Sequence, residues 1–193
     1  MRLPAYASTT VLAVVAAVLT GCGSETTAAE PSTTPAASSP VTTTEAGPAR
    51  SPRGHIMKTV GQEAAIGYPD QPPVIAWTVT ALTVDEPCTS EYSLPADGHF
   101  VSATIEAQTS AEYVDAKFGG FHPGNFWELV DADGITHSHP DSNAVYRCHE
   151  GDWPTDMTPS SRYRFRVTFD SPTPHGVLVY LPPDRPDGWE WSF

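Results

Sequence analysis

Arg162-Tyr163-Arg164-Phe165-Arg166-Val167-Thr168-Phe169 decides the fold. Tyr163, Phe165, Val167 and Phe169 alternate with Arg162, Arg164, Arg166 and Thr168. Successive side chains of a strand point to opposite faces, so this period of two sends four large apolar groups into a core and a basic row toward water. The same period recurs upstream. Ile75, Trp77, Val79 and Ala81 alternate with Ala76, Thr78 and Thr80, and Val101, Ala103, Ile105 and Ala107 with Ser102, Thr104 and Glu106. Downstream, Val177, Val179 and Leu181 read as inward positions, and Trp189, Trp191 and Phe193 close the chain around Glu190 and Ser192. A further strand over 126–130 turns at Asp131-Ala132-Asp133-Gly134, with glycine at the left-handed position of a hairpin.

Pro-rich and Gly-rich connectors separate these strands, over 68–73, 85–98, 119–124 and 182–188. No window sustains a helical period with caps, and 111–117 is the only helix-like piece. Seven or eight short strands in a folded part of about 140 residues predict an all-β, immunoglobulin-like antiparallel β-sandwich. A closed barrel is the alternative.

Outward from the strands, residues 23–53 are Thr, Ser, Ala and Pro with Val41 as the only large apolar side chain. Such a stretch buries too little surface to offset its ordering entropy and reads as a tether. Its composition also matches O-glycosylated stalks, although a plain spacer suffices. Before it, Arg2 and the apolar run from Val11 to Leu19 read as an export signal. That run is too short for a membrane span of about 20 residues. It ends in Leu19-Thr20-Gly21-Cys22, which resembles the lipobox of bacterial lipoproteins. The resemblance implies cleavage before Cys22 and a diacylglyceryl group on its sulfur. The expected organisation is therefore a signal peptide over 1–21, a lipidated Cys22 with its tether over 22–54, and the sandwich over 55–193.

With 23 acidic and 10 basic residues the chain is strongly acidic, which argues against nucleic acid and against a polybasic grip on anionic lipid. Cys22 assigned to lipid leaves Cys88 and Cys148 as an even pair in an oxidising compartment, and we read them as a disulfide. The alternative, thiols serving metal or redox chemistry, lacks any Cys-x-x-Cys spacing.

Thr59-Val60-Gly61-Gln62 opening a strand, Trp77-Thr78-Val79, Phe165-Arg166-Val167-Thr168, Ser171-Pro172-Thr173-Pro174 and the Trp189-Glu190 tail together resemble the mycobacterial small secreted immunogenic antigen family. The related telokin-like lipoprotein domains share the lipid anchor and the sandwich. The resemblance implies an exported immunoglobulin-like sandwich from an actinobacterium, with no established enzymatic activity and no functional residues to carry over. The lipobox, the tether, Cys88 and Cys148 depart from the secreted antigen.

Three constellations could carry chemistry. In 131–141, His137 and His139 stand two apart, so a strand would put both imidazoles on one side, as a Zn or Cu site requires. His122 and His149 are candidates for a third ligand; the plain alternative is a pair of histidines on the wet face of an edge strand. Calcium at Asp131 and Asp133 lacks the later oxygen ligands of an EF-hand loop, where Ile135 and His137 stand instead. Aromatic rings in loop contexts, Phe121, Trp127 and Trp153, suit either a binding surface or core plugs. Arg162, Arg164 and Arg166 either neutralise acidic neighbours across the sheet or receive an anionic partner. No Gly-x-Ser-x-Gly or Ser-x-x-Lys nucleophile motif is present, so we expect no enzyme.

The expected function is that of a lipid-anchored binding protein on the extracytoplasmic face of the membrane, also open to shedding or secretion. Its partner would be a protein or an envelope component, and its only attached group the lipid on Cys22. A metal-binding lipoprotein and an envelope enzyme are the alternatives.

Overall fold

The computed structural model describes residues 47–68, 70–149 and 153–193, with the backbone alone of 116 and 117. All fall in the unit Glu45–Phe193. The signal, Cys22 and most of the tether lie outside the described residues.

Among the described residues nine strands form two sheets. They are β1 (Ile56–Lys58), β2 (Glu63–Ile66), β3 (Ile75–Val84), β4 (His99–Thr109), β5 (Trp127–Val130), β6 (Thr136–Ser138), β7 (Arg162–Ser171), β8 (Val177–Tyr180) and β9 (Trp189–Ser192). One sheet runs β2-β3-β4-β7 and the other β1-β9-β8-β5-β6. Every pairing is antiparallel except β1 with β9. The fold is the expected all-β, immunoglobulin-like sandwich, with nine strands in place of seven or eight. Among the described residues the sheets keep separate edges, so it is not a closed barrel.

The alternation that predicts β4 and β7 sets the core. Ala103, Ile105 and Ala107 of β4, with Phe165, Val167 and Phe169 of β7, are buried against Trp127, Leu178, Tyr180, Trp189 and Trp191 of the opposite sheet, and Val101 of β4 is buried too. In β3 the register shifts between Val79 and Ala81, so the alternation ends there: Val79 is buried, and Ala81 is only half-buried. A bulge of this kind inserts one residue and reverses the facing of the residues beyond it.

β8 corrects an expectation. Leu178 and Tyr180 face the main core, whereas Val177 is half-buried and Leu181 lies past the strand end. The run is apolar on both faces, so period could not set its parity.

Two short helices complete the unit. The first, α1 (Asp115–Phe118), is shorter than the helix-like piece suggested. The second, α2 (Asn143–Cys148), was not anticipated. Ser142 caps α2 by accepting hydrogen bonds from the amides of Ala144 and Val145 at 3.1 and 3.2 Å.

Cys88 and Cys148 form a disulfide, as expected, between the β3–β4 connector and the end of α2. It belongs to a second, small core of Phe100, Ala144, Val145 and Cys148.

Residues 49–53 belong to the sheet edge rather than to the tether. Arg50 bridges Ile56, the Met57 amide donates to Ala49 O at 2.9 Å, and Arg53 pairs with the buried Glu190 at 3.0 Å.

Candidate functional site

The β5–β6 hairpin forms as predicted, with Gly134 at φ +81°. Among the described residues its histidines do not come together as a metal cluster. β6 ends at Ser138 and His139 turns left-handed, at φ +55°, so the two imidazoles leave the shared strand face. His137 Nε2 bonds Asp131 Oδ2 at 2.8 Å, and His139 Nδ1 donates to Gly124 O at 2.9 Å. His122 Nδ1 accepts from the Gly124 amide and its ring packs on Tyr146 and Trp153. His149 is buried beside Thr89 and Arg166. Among the described residues no three His, Cys, Asp or Glu side chains form a group that could hold a metal. Asp131 instead serves its own turn, accepting from the amides of Asp133 and Ile135, and the bond to His137 leads the causes that hold its carboxyl below the usual range.

Two of the three candidate surface aromatics are core. Phe121 is 0 % exposed and Trp127 1 %, because the 119–126 connector folds inward onto Trp77, Phe165 and Tyr180. Trp153 is half-buried against His122 and Tyr146. Two of the row's three arginines do what the plainer expectation held. Arg164 pairs with Glu106 directly across the sheet, and Arg166 lies 3.4 Å from Glu86.

The concavity that sequence reasoning missed lies at one end of the sandwich. It is an open cleft of about 240 Å³, walled by the β2–β3 connector, the segment leading into α1, and the β8–β9 connector. Ile66, Tyr68 and Val74 form one wall, Tyr113 and Phe118 the floor, and Pro183 the opposite lip. Local chemistry builds each piece. At Gly67 a Cβ would stand 2.9 Å from Pro73 Cα, so only glycine lets the connector fold back on itself. At Gly119, φ +84° ends α1, and the Phe126 ring occupies the space a side chain would need.

Beneath the floor, Trp77 packs against Phe118, Phe121, Tyr180 and Trp189 at centroid distances of 4.8–6.0 Å. Each edge or tilted aromatic pair of this kind contributes about 0.5–1.5 kcal/mol beyond its buried area.

The mouth is charged. Glu112 and Asp184 are exposed at it, Glu112 accepting from Ser110 Oγ at 2.8 Å. Arg185 stacks over Trp189 at 4.9 Å and pairs with Asp187 at 3.0 Å. Asp187 also takes Arg50 at 2.8 Å, and hydrogen bonds from both guanidinium groups, Arg50 first, hold its carboxyl below the usual range. Within the floor, burial and the bond to Asp115 push the Tyr113 phenol far up, so it stays neutral as a donor. Among the described residues no group at the mouth pairs a nucleophile with a base.

Fold and cleft define an all-β sandwich with an apolar, aromatic-floored cleft at one end. No family model matches the chain, and no curated protein matches it. Among solved structures it is similar to the crystal structure of MPT63, a secreted protein from Mycobacterium tuberculosis, at 16 % identity and a TM-score of 0.44, over 72 % of this chain and 98 % of that one. No helix among the described residues is long and apolar enough to cross a membrane.

Proposed function

We propose that the chain is an exported, lipid-anchored binding protein of the extracytoplasmic envelope. Cys22 carries the lipid, the Thr/Pro tether spaces the sandwich from the membrane, and the cleft takes a small apolar group of an envelope component. The protein works by binding rather than catalysis, and the lipid is its only attached group. The cleft carries this reading: ligand sites are concave, mostly apolar and largely pre-formed, with a few polar groups at the edge. The disulfide fits an oxidising compartment. Two acyl chains on one cysteine would hold the chain far more firmly than one, at roughly 0.8 kcal/mol per buried methylene.

The test uses the full chain and the neutral apolar dye Nile red. Wild type binds the dye with saturable fluorescence. Val114→Trp, at an exposed wall position, fills the mouth and removes that signal without lowering Tm. Equal dye binding by both proteins would overturn the cleft as the site.

A further inference from the structure

We propose that the cleft selects cations: its ligand is a small apolar group bearing an ammonium, with the hydrocarbon on the aromatic floor and the charge at the Glu112–Asp184 mouth. The inference rests on the cleft being the binding site and adds the ligand's class.

Three observations carry it. The first is the pairing of charges. Glu112 and Asp184 are exposed carboxylates, and among the described residues no ion pair joins either of them. Among the described residues the one basic group lining the cleft, Arg185, is already engaged by Asp187 and by the Trp189 face. Counting Arg50, which shares Asp187, two guanidinium groups face three carboxylates, so the described side chains leave the mouth one charge negative. Asp115, bonded to Tyr113 Oη, adds another carboxylate behind the floor.

The second is the kind of surface. Tyr68, Tyr113 and Phe118 all line the cleft, and aromatic faces attract ammonium groups within about 6 Å of the ring centre. Tyr113 and Phe118 are inclined at 58° with centroids 6.0 Å apart, and Tyr68 beside them is exposed.

The third is size and field. A volume of about 240 Å³ falls just under the range of about 300–1,000 Å³ usual for drug-sized ligands. A single ring or short alkyl group with a compact cationic head fits that space. The formal charge of −13 on the whole chain draws cations toward the surface and repels anions.

The test compares three probes that share a ring and differ in charge: benzyltrimethylammonium, benzyl alcohol and phenylacetate, each titrated onto the full chain by NMR. We expect the cation to bind at least tenfold more tightly than phenylacetate, and its affinity to fall with added salt. Glu112→Gln and Asp184→Asn should each weaken the cation two- to fivefold and leave benzyl alcohol unchanged. If phenylacetate binds as tightly as the cation, Arg185 sets the class and the cation inference is overturned, while the cleft reading stands. If cation affinity is unmoved in both variants, the mouth does not select charge and the inference is likewise overturned. If none of the three probes binds, both the inference and the cleft reading fall.

Discussion

Asp170, near the end of β7, has one carboxylate oxygen buried without a hydrogen-bond partner. Burial raises its pKa first, the carboxylates of Asp97 and Asp141 add to the rise, and bonds from Ser142 and the Asp97 amide oppose it. The folded chain therefore holds this proton to a higher pH than the unfolded chain, whose value lies near 3.9. Between the two values unfolding releases a proton, so stability falls as pH rises through that window. The penalty is absent below the unfolded value and fully in force above the folded one. Asp170→Asn removes it. The variant's Tm relative to wild type should be lowest near pH 3 and climb to a plateau by neutral pH, read by thermal melts across that range. A Tm difference that stays flat with pH would show that the carboxyl titrates alike in both states. Asp131 has the opposite sign: its lowered value contributes stability above the unfolded pKa, lost as pH falls through the folded one.

At the scale of elements, β4 and β7 were legible because their apolar and polar residues alternate without a break over a long run. Elements whose two faces are alike, or whose partners are remote, were not. Glu190 alternates with Trp189 and Trp191 and so reads as solvent-facing, yet it is 5 % exposed. The parallel pairing of β1 with β9 and the Arg53 guanidinium cover it, and both come from residues more than a hundred positions earlier. α2 escaped notice because six residues are too few to show a helical period; its cap and the bridge at Cys148 hold it. The cleft was illegible for a similar reason, since three connectors distant in sequence build it. Phe121 misled because its Gly- and Pro-rich neighbours mark a loop without saying that the loop turns inward. The Arg53–Glu190 pair gives the test at this scale. Arg53→Ala leaves a buried carboxylate unpaired and should cost about 2 kcal/mol in urea denaturation, moderated by the arginine's partial exposure. Adding Glu190→Gln should restore most of that loss. If the double variant is no better than the single one, the arginine acts through packing rather than charge.

Across the folded unit, β3 and β4 separate two regions, the proposed binding cleft and the disulfide. β3 begins at Ile75 in the cleft wall and ends beside the connector that carries Cys88; β4 returns over the same length. Ten residues at about 3.3 Å each put roughly 30 Å between the cleft and the disulfide. The bridge closes a loop spanning a sequence separation of 60, and chain-entropy bookkeeping gives it roughly 4 kcal/mol of stabilisation through the unfolded state. In the folded state it secures the small core at Phe100, whereas the large core, which includes the aromatic floor, contains neither cysteine. Stability and binding should therefore separate. Cys88→Ala/Cys148→Ala should lower the urea midpoint and drop Tm by roughly 8–15 °C, at about 2–4 °C per kcal/mol for a chain of this size. At a temperature where the variant is still folded, its Nile red affinity should match wild type. A parallel loss of dye binding and stability would show that the two ends are coupled through β3 and β4, and that the small core helps to hold the cleft open.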